Sequence, residues 1–208
     1  MGVTTDGRLL RGEQTRRTIL DRALDIASAE GLEGLSIGRL AGDLSLSKSG
    51  LFAHFGSKEE LQLATVQAAR EAFVDQVVRP VAAAAEPGLA RLEALLASWL
   101  DYVRRRVFPG GCVLYSISAE YDARPGRIRD AVAASHGAWH GHLRDTVREA
   151  VARGELDAAT DVDQLVFELT SYVWQACGNG VLYDDDVFLD RAREAVSARL
   201  RRARPRSA

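Results

Sequence analysis

Three helix-start signals fall within residues 36–60, SIGRLAGDLSLSKSGLFAHFGSKEE, and that density permits only very short helices joined by tight turns. Ser36 stands where an N-cap belongs, and Ile37, Leu40, Ala41 and Leu44 follow at helical spacing. After the turn Asp43-Leu44-Ser45-Leu46, Ser47 caps a second short helix in which Leu51 and Phe55, four apart, face one core. The other side carries Lys48, Ser49, Gly50 and His54, too polar and too small to be buried all round. Ser57 and Glu60 then form a capping box that starts a third helix. Lys58 lies in its first turn, where a cation opposes the helix dipole and needs another partner, such as a phosphate. A short helix with a small, polar N-terminal face suits insertion into a DNA major groove.

The run Ser47-Lys48-Ser49-Gly50-Leu51-Phe52-Ala53-His54-Phe55, followed by Ser57-Lys58-Glu59-Glu60-Leu61, resembles the DNA-binding end of TetR-type (tetracycline-repressor-like) transcriptional regulators. One departure is that the family usually has Tyr where this chain has Phe52, which removes a hydroxyl that would contact phosphate. The resemblance implies a helix-turn-helix over about 35–54 within a DNA-binding domain of residues 12–72, and a helical effector-binding and dimerisation domain over 73–204. It also implies Ser36, Ser47, Lys48, Ser49, Gly50, Phe52, His54 and Lys58 as DNA-contacting residues.

Composition agrees with an ordinary globular protein: 208 residues, 47% hydrophobic. A formal net charge of −2 argues against nucleic acid only if spread evenly, because binding needs a local basic patch. Nearly every cation is Arg, yet the only two lysines, Lys48 and Lys58, fall inside the candidate DNA face. Cys112 and Cys177 have no metal-ligand or redox spacing and read as buried thiols. With no signal-type run and no stretch long enough to span a bilayer, a cytoplasmic protein without membrane partners is expected.

The remaining pattern is helical and lacks the period-two alternation of strands, so the expected class is all-α with about nine helices. A first helix is expected over about Thr15–Glu30, after a frayed start in which Arg8 and Arg11 could reach phosphates, as could Arg16 and Arg17. A helix from Lys58 should end before Pro80. Others are expected through Leu92–Val103, around Cys112–Ser118, and over Arg127–Arg153, Asp161–Cys177 and Asp186–Arg202. Gly178-Asn179-Gly180 reads as a turn, and the tail from Arg201 as disordered.

Trp99, Tyr102, Tyr115, Tyr121, Trp139, Phe167 and Trp174 are spread over the segments that the resemblance places around an effector pocket, and amphipathic aromatics suit an apolar or aromatic ligand. His136 and His140, four apart, could share a metal, but no third ligand is apparent, and neither a metal nor a cofactor is expected. One short reading helix contacts few base pairs, so a homodimer on a palindromic double-stranded operator is expected, with half-sites about 34–36 Å apart. The resemblance implies that the last two helices form the dimer interface and that a small-molecule effector releases a repressor. Two other classes compete. An enzyme would need a nucleophile elbow, HExxH or phosphate loop that the sequence lacks, and a helical protein-interaction module would show no salt-dependent DNA binding.

Overall fold

The computed structural model describes residues 3–205, without the side chains of residues 3–6 and 8. Among them no strand occurs, and nine helices follow one another: α1 Val3–Glu30, α2 Ile37–Asp43, α3 Lys48–Phe55, α4 residues 58–84, α5 Leu89–Arg104, α6 Val113–Tyr121, α7 Arg127–Ala152, α8 Val162–Leu182 and α9 Val187–Arg202. None is long and apolar enough to cross a membrane.

Four departures from the expected boundaries have physical causes. Helix α1 starts near Val3 instead of Thr15, since Gly7 and Gly12 weaken a helix without blocking it and side chains bridge successive turns, Arg11 Nε to Gly7 O and Thr15 Oγ1 to Arg11 O. The Arg8 side chain lies outside the described residues.

Helix α4 passes through Pro80 because its middle, Val74–Val78, widens into a π turn, with Arg79 N donating to Val74 O five residues back. The wider register puts Pro80 at the start of the next helical segment, where its missing N–H costs little. Helix α8 likewise continues through Gly178-Asn179-Gly180, with Gln175 Nε2 bonded to Asn179 Oδ1. Gly180 is buried and its carbonyl accepts from Asp185 N, and this packing and hydrogen bond offset weak helix propensity. The tail is ordered to residue 205: Ala203 is buried and its carbonyl accepts from Asp157 N, while residues 206–208 lie outside the description.

Chain contacts divide the protein into two units, residues 1–70 with 108–132, and residues 71–107 with 133–208. The division of α4 falls between Arg70 and Glu71, while α6 and the start of α7 belong to the first unit instead of the second. The reason is local to α1 and α6. Ser28 accepts at Oγ from Gly110 N and at its carbonyl from Ser116 Oγ. A Cβ at Gly110 would overlap the Ser28 backbone, so this crossing needs glycine. Glu120 of α6 accepts from the amides of Leu32 (2.6 Å) and Glu33 (2.9 Å), just after the left-handed Gly31 that ends α1. In the second unit, Arg104 at the end of α5 pairs with Asp190 of α9, and Arg106 just beyond it pairs with Asp184 in the turn after α8.

Candidate nucleic-acid interface and ring cluster

All three start signals are realised. Ser36 Oγ accepts from Arg39 N, Ser47 Oγ from Gly50 N and Ser57 Oγ from Glu60 N, each at 3.0–3.1 Å. Glu60 does not serve the second half of a capping box, because its Oε1 accepts from Arg127. Between α2 and α3, Ser45 takes a left-handed conformation (φ 55°) and Leu46 N reaches back to Ala41 O, the 6→1 bond of a Schellman turn. That turn sets the angle at which α3 leaves α2.

Helix α3 is anchored from below. Leu51 is fully buried and Phe55 nearly so, the Arg16 guanidinium of α1 lies 4.4 Å from the centre of the Phe55 ring, and Arg16 Nη1 donates to His54 O. With these contacts made, Ser47, Lys48, Ser49, Gly50 and Phe52 are exposed and His54 is half-buried. Ser36 and Gly38 of the preceding cap and helix are exposed as well, and the Lys48 stem passes over Gly38. No ion pair involves Lys48 among the described residues. Lys58 differs: its Nζ is 2.8 Å from Glu33 Oε2, which holds the Glu33 carboxyl below the usual carboxylate range. Glu33 Oε1 also accepts from the Tyr121 hydroxyl, whose pKa is pushed up to about 12, chiefly by burial and then by this carboxylate.

In the second unit four of the seven candidate aromatics come together: Trp99 and Tyr102 from α5, Trp139 from α7 and Trp174 from α8. Phe73 of α4 is the common neighbour of the first three, edge-on at 5.8 Å to Trp99, 5.8 Å to Tyr102 and 5.0 Å to Trp139. Phe73 was missed at the sequence level although Val66, Ala69, Phe73 and Val77 make a continuous helical stripe that would have found it. Trp99 lies edge-on to both Trp139 (5.5 Å) and Trp174 (6.0 Å), and His136 packs 4.8 Å from Trp174.

Three candidates stay outside this cluster. Phe167 is 66% exposed on the outer side of α8, because its position on the helical turn alternates with the buried Leu165, Val166 and Leu169. Tyr121 and Tyr115 belong to α6 in the first unit, where the Tyr121 hydroxyl is already engaged.

Burial pushes the His136 imidazole down to about 4, with the neighbouring His140 adding to the effect. His140 and His142 are lowered too, mainly by burial. Among the described residues no group of three His, Cys, Asp or Glu side chains could hold a metal ion. Both cysteines are buried thiols, and burial raises Cys112 to about 11.

Two family profiles match the chain: "Bacterial regulatory proteins, tetR family" over residues 19–65, and "Tetracyclin repressor-like, C-terminal domain" over residues 88–196. The transcriptional regulator AcuR of Cereibacter sphaeroides is 25% identical over 157 residues, 72% of this chain and 68% of that protein. A TetR transcriptional regulator from Chloroflexus aurantiacus superposes with a TM-score of 0.80 at 24% identity, covering 90% of this chain and 94% of the other. A putative transcriptional regulator from Saccharomonospora viridis in complex with choline gives 0.74 at 20% identity, covering 89% and 95%.

Proposed function

Because the chain belongs to the TetR family of bacterial regulatory proteins, a family of DNA-binding regulators and not of enzymes, we propose that it is a repressor whose paired protomers read a palindromic operator and release it when a small apolar or aromatic effector binds. The observation that carries the reading is the stance of α3. Its N-terminal half, Ser47 to Gly50, is exposed while Leu51 and Phe55 fix it from beneath. Exposed amides and small side chains at a helix N-terminus can approach both phosphates and base edges.

In this reading Ser47, Lys48, Ser49, Gly50, Phe52 and His54 face the groove, with Ser36 at its rim. Lys48 reaches phosphate as a point charge, and Lys58 does so only by exchanging Glu33 for the backbone. Pairing of protomers uses α8 and α9, where Phe167, Val181, Leu182, Tyr183 and Val187 leave apolar surface exposed. A small-molecule effector is supported by the ring cluster of the second unit, and a neighbour of the same fold is seen with choline. Release follows by population shift, with an effector that prefers a dimer whose α3 helices are wrongly spaced. Nearly complete switching requires about a ten-thousand-fold difference in affinity between the two states.

Selection of bound fragments from random duplex DNA tests the reading. Inverted half-sites about 34–36 Å apart centre to centre are expected. Recovery of no sequence, or of sites without two-fold symmetry, rejects it.

A further inference from the structure

We infer that Arg16 is a positioning residue of the DNA-reading helix: from α1 it clamps the C-terminal end of α3 and so sets the angle at which Ser47 to Gly50 meet base edges, instead of contacting phosphate itself. The inference rests on the DNA-reading proposal above and gives a specificity role to a residue outside the reading face.

The sequence puts Arg16 at the head of a buried stripe. Ile19, Ala23 and Ala27 follow it at helical spacing on α1 and are fully buried, so the same face carries Arg16 into the packing against α3. Arg17 leaves that stripe by about a quarter of a turn and is exposed.

Arg16 is half-buried and makes two contacts that differ in kind. Its Nη1 donates to His54 O at 2.7 Å, and its guanidinium lies over the Phe55 ring, 4.4 Å from the ring centre. His54 O is one of the last carbonyls of α3, which lack a partner inside the helix because Gly56, left-handed at φ 74°, turns the chain away. The negative end of the helix dipole lies there too, so a cation is favoured. A planar guanidinium that donates to a carbonyl and covers a ring fixes direction as well as distance, whereas an ammonium supplies the charge without the plane.

A competitor for Arg16 stands close by and is already taken. Glu60 lines the same crevice as Arg16, His54 and Phe55, but its Oε1 accepts from Arg127 at 2.7 Å, and Arg127 also holds Glu59. Arg16 is thereby left to α3. His54 stands seven residues beyond Ser47, about 10 Å along the helix, so loosening the clamp tilts the reading end. Base edges are read only by groups held to a fraction of an ångström, while charge governs nonspecific binding. A residue that aims α3 therefore acts on the ratio of specific to nonspecific affinity.

The test uses the full-length protein, the inverted-repeat duplex recovered by selection, and a duplex of the same length with both half-sites scrambled. Arg16→Gln and Arg16→Lys should each lower the ratio of the two affinities by roughly threefold to tenfold per half-site, the usual worth of one net hydrogen bond. The slope of log affinity against log salt on the selected duplex should stay unchanged. A phosphate contact gives the opposite pattern, a slope reduced by roughly one unit per protomer in Arg16→Gln and restored in Arg16→Lys, and that result overturns the inference. So does an unchanged ratio, since a purely structural loss lowers the folded fraction and weakens both duplexes alike. Hydrogen exchange reads the clamp with no DNA present: the amides of Leu51 to Phe55 should exchange roughly threefold to tenfold faster in both variants, and unaltered rates overturn the inference. Failure of the unsubstituted protein to select any duplex rejects the DNA reading and this role together, whereas selection by that protein with an unchanged ratio in the variants rejects the role of Arg16 alone.

Discussion

Along α3, Leu51 and Phe55 are buried while Lys48, Ser49, Gly50 and Phe52 stand in solvent; in the second unit Phe73, Trp99, Tyr102 and Trp139 are all buried, and they come from α4, α5 and α7. In the first region packing fixes the helix, and the proposed DNA contacts fall to the side chains it leaves outside. In the second, packing encloses rings from several helices, so a change at any of them alters the core. The difference predicts opposite sensitivities: the DNA face should tolerate surface changes in stability and not in binding, whereas the ring cluster should couple the two.

The largest effect expected is from Leu51→Ala. Removing a fully buried side chain should destabilise the first unit by about 2–5 kcal/mol and abolish operator binding without touching the DNA face. Chemical denaturation and a binding isotherm measure both; retention of full affinity would break the claim that α3 is held from beneath.

Next comes pH. The folded His136 pKa is about 4 and the ordinary value is 6.5, so between them the unfolded chain takes up a proton that the folded one refuses. Stability contributed by this site is therefore complete above pH 6.5 and is lost as pH falls toward 4, by up to about 3 kcal/mol. His140 and His142, lowered in the same direction, add to the slope. His136→Phe should flatten the slope in denaturation curves between pH 6.5 and 4, and an unaltered slope would mean that His136 is not enclosed in solution.

The two lysines sharpen the contrast within the DNA face itself. Lys48→Ala should weaken operator binding and reduce the slope of log affinity against log salt by roughly one unit. Lys58→Ala should do less, because Lys58 already holds Glu33 and gains only the difference between two anionic partners. That exposed pair is itself worth under about 1 kcal/mol to stability. Equal effects of the two substitutions would show that Glu33 is no competitor for phosphate.

The smallest change expected is Phe52→Tyr, which restores a hydroxyl on a ring already 52% exposed. It should leave stability unchanged and tighten operator binding by roughly threefold, about half to one hydrogen bond. A loss of affinity would place Phe52 against an apolar group instead of a phosphate.

The DNA-reading end was legible because its signals are local. A serine cap, apolar residues three and four apart, and a turn residue that tolerates left-handed backbone act within a few positions, and the caps at Ser36, Ser47 and Ser57 form as their sequence suggests. The sequence alone also determined the all-helical class and the serine-capped starts of α2, α3 and α4, but not the start of α1. Helix ends were less legible, since Pro80 and the glycines near 178–180 read as breaks until the π turn and the buried Gly180 absorbed them. Only the tertiary structure decided that α6 belongs with the first unit, that Tyr121 serves Glu33, that Phe167 faces outward, and that Phe73 completes the ring cluster. Periodicity tells which face of a helix is buried but not against what; that choice depends on long-range packing among segments far apart in the chain.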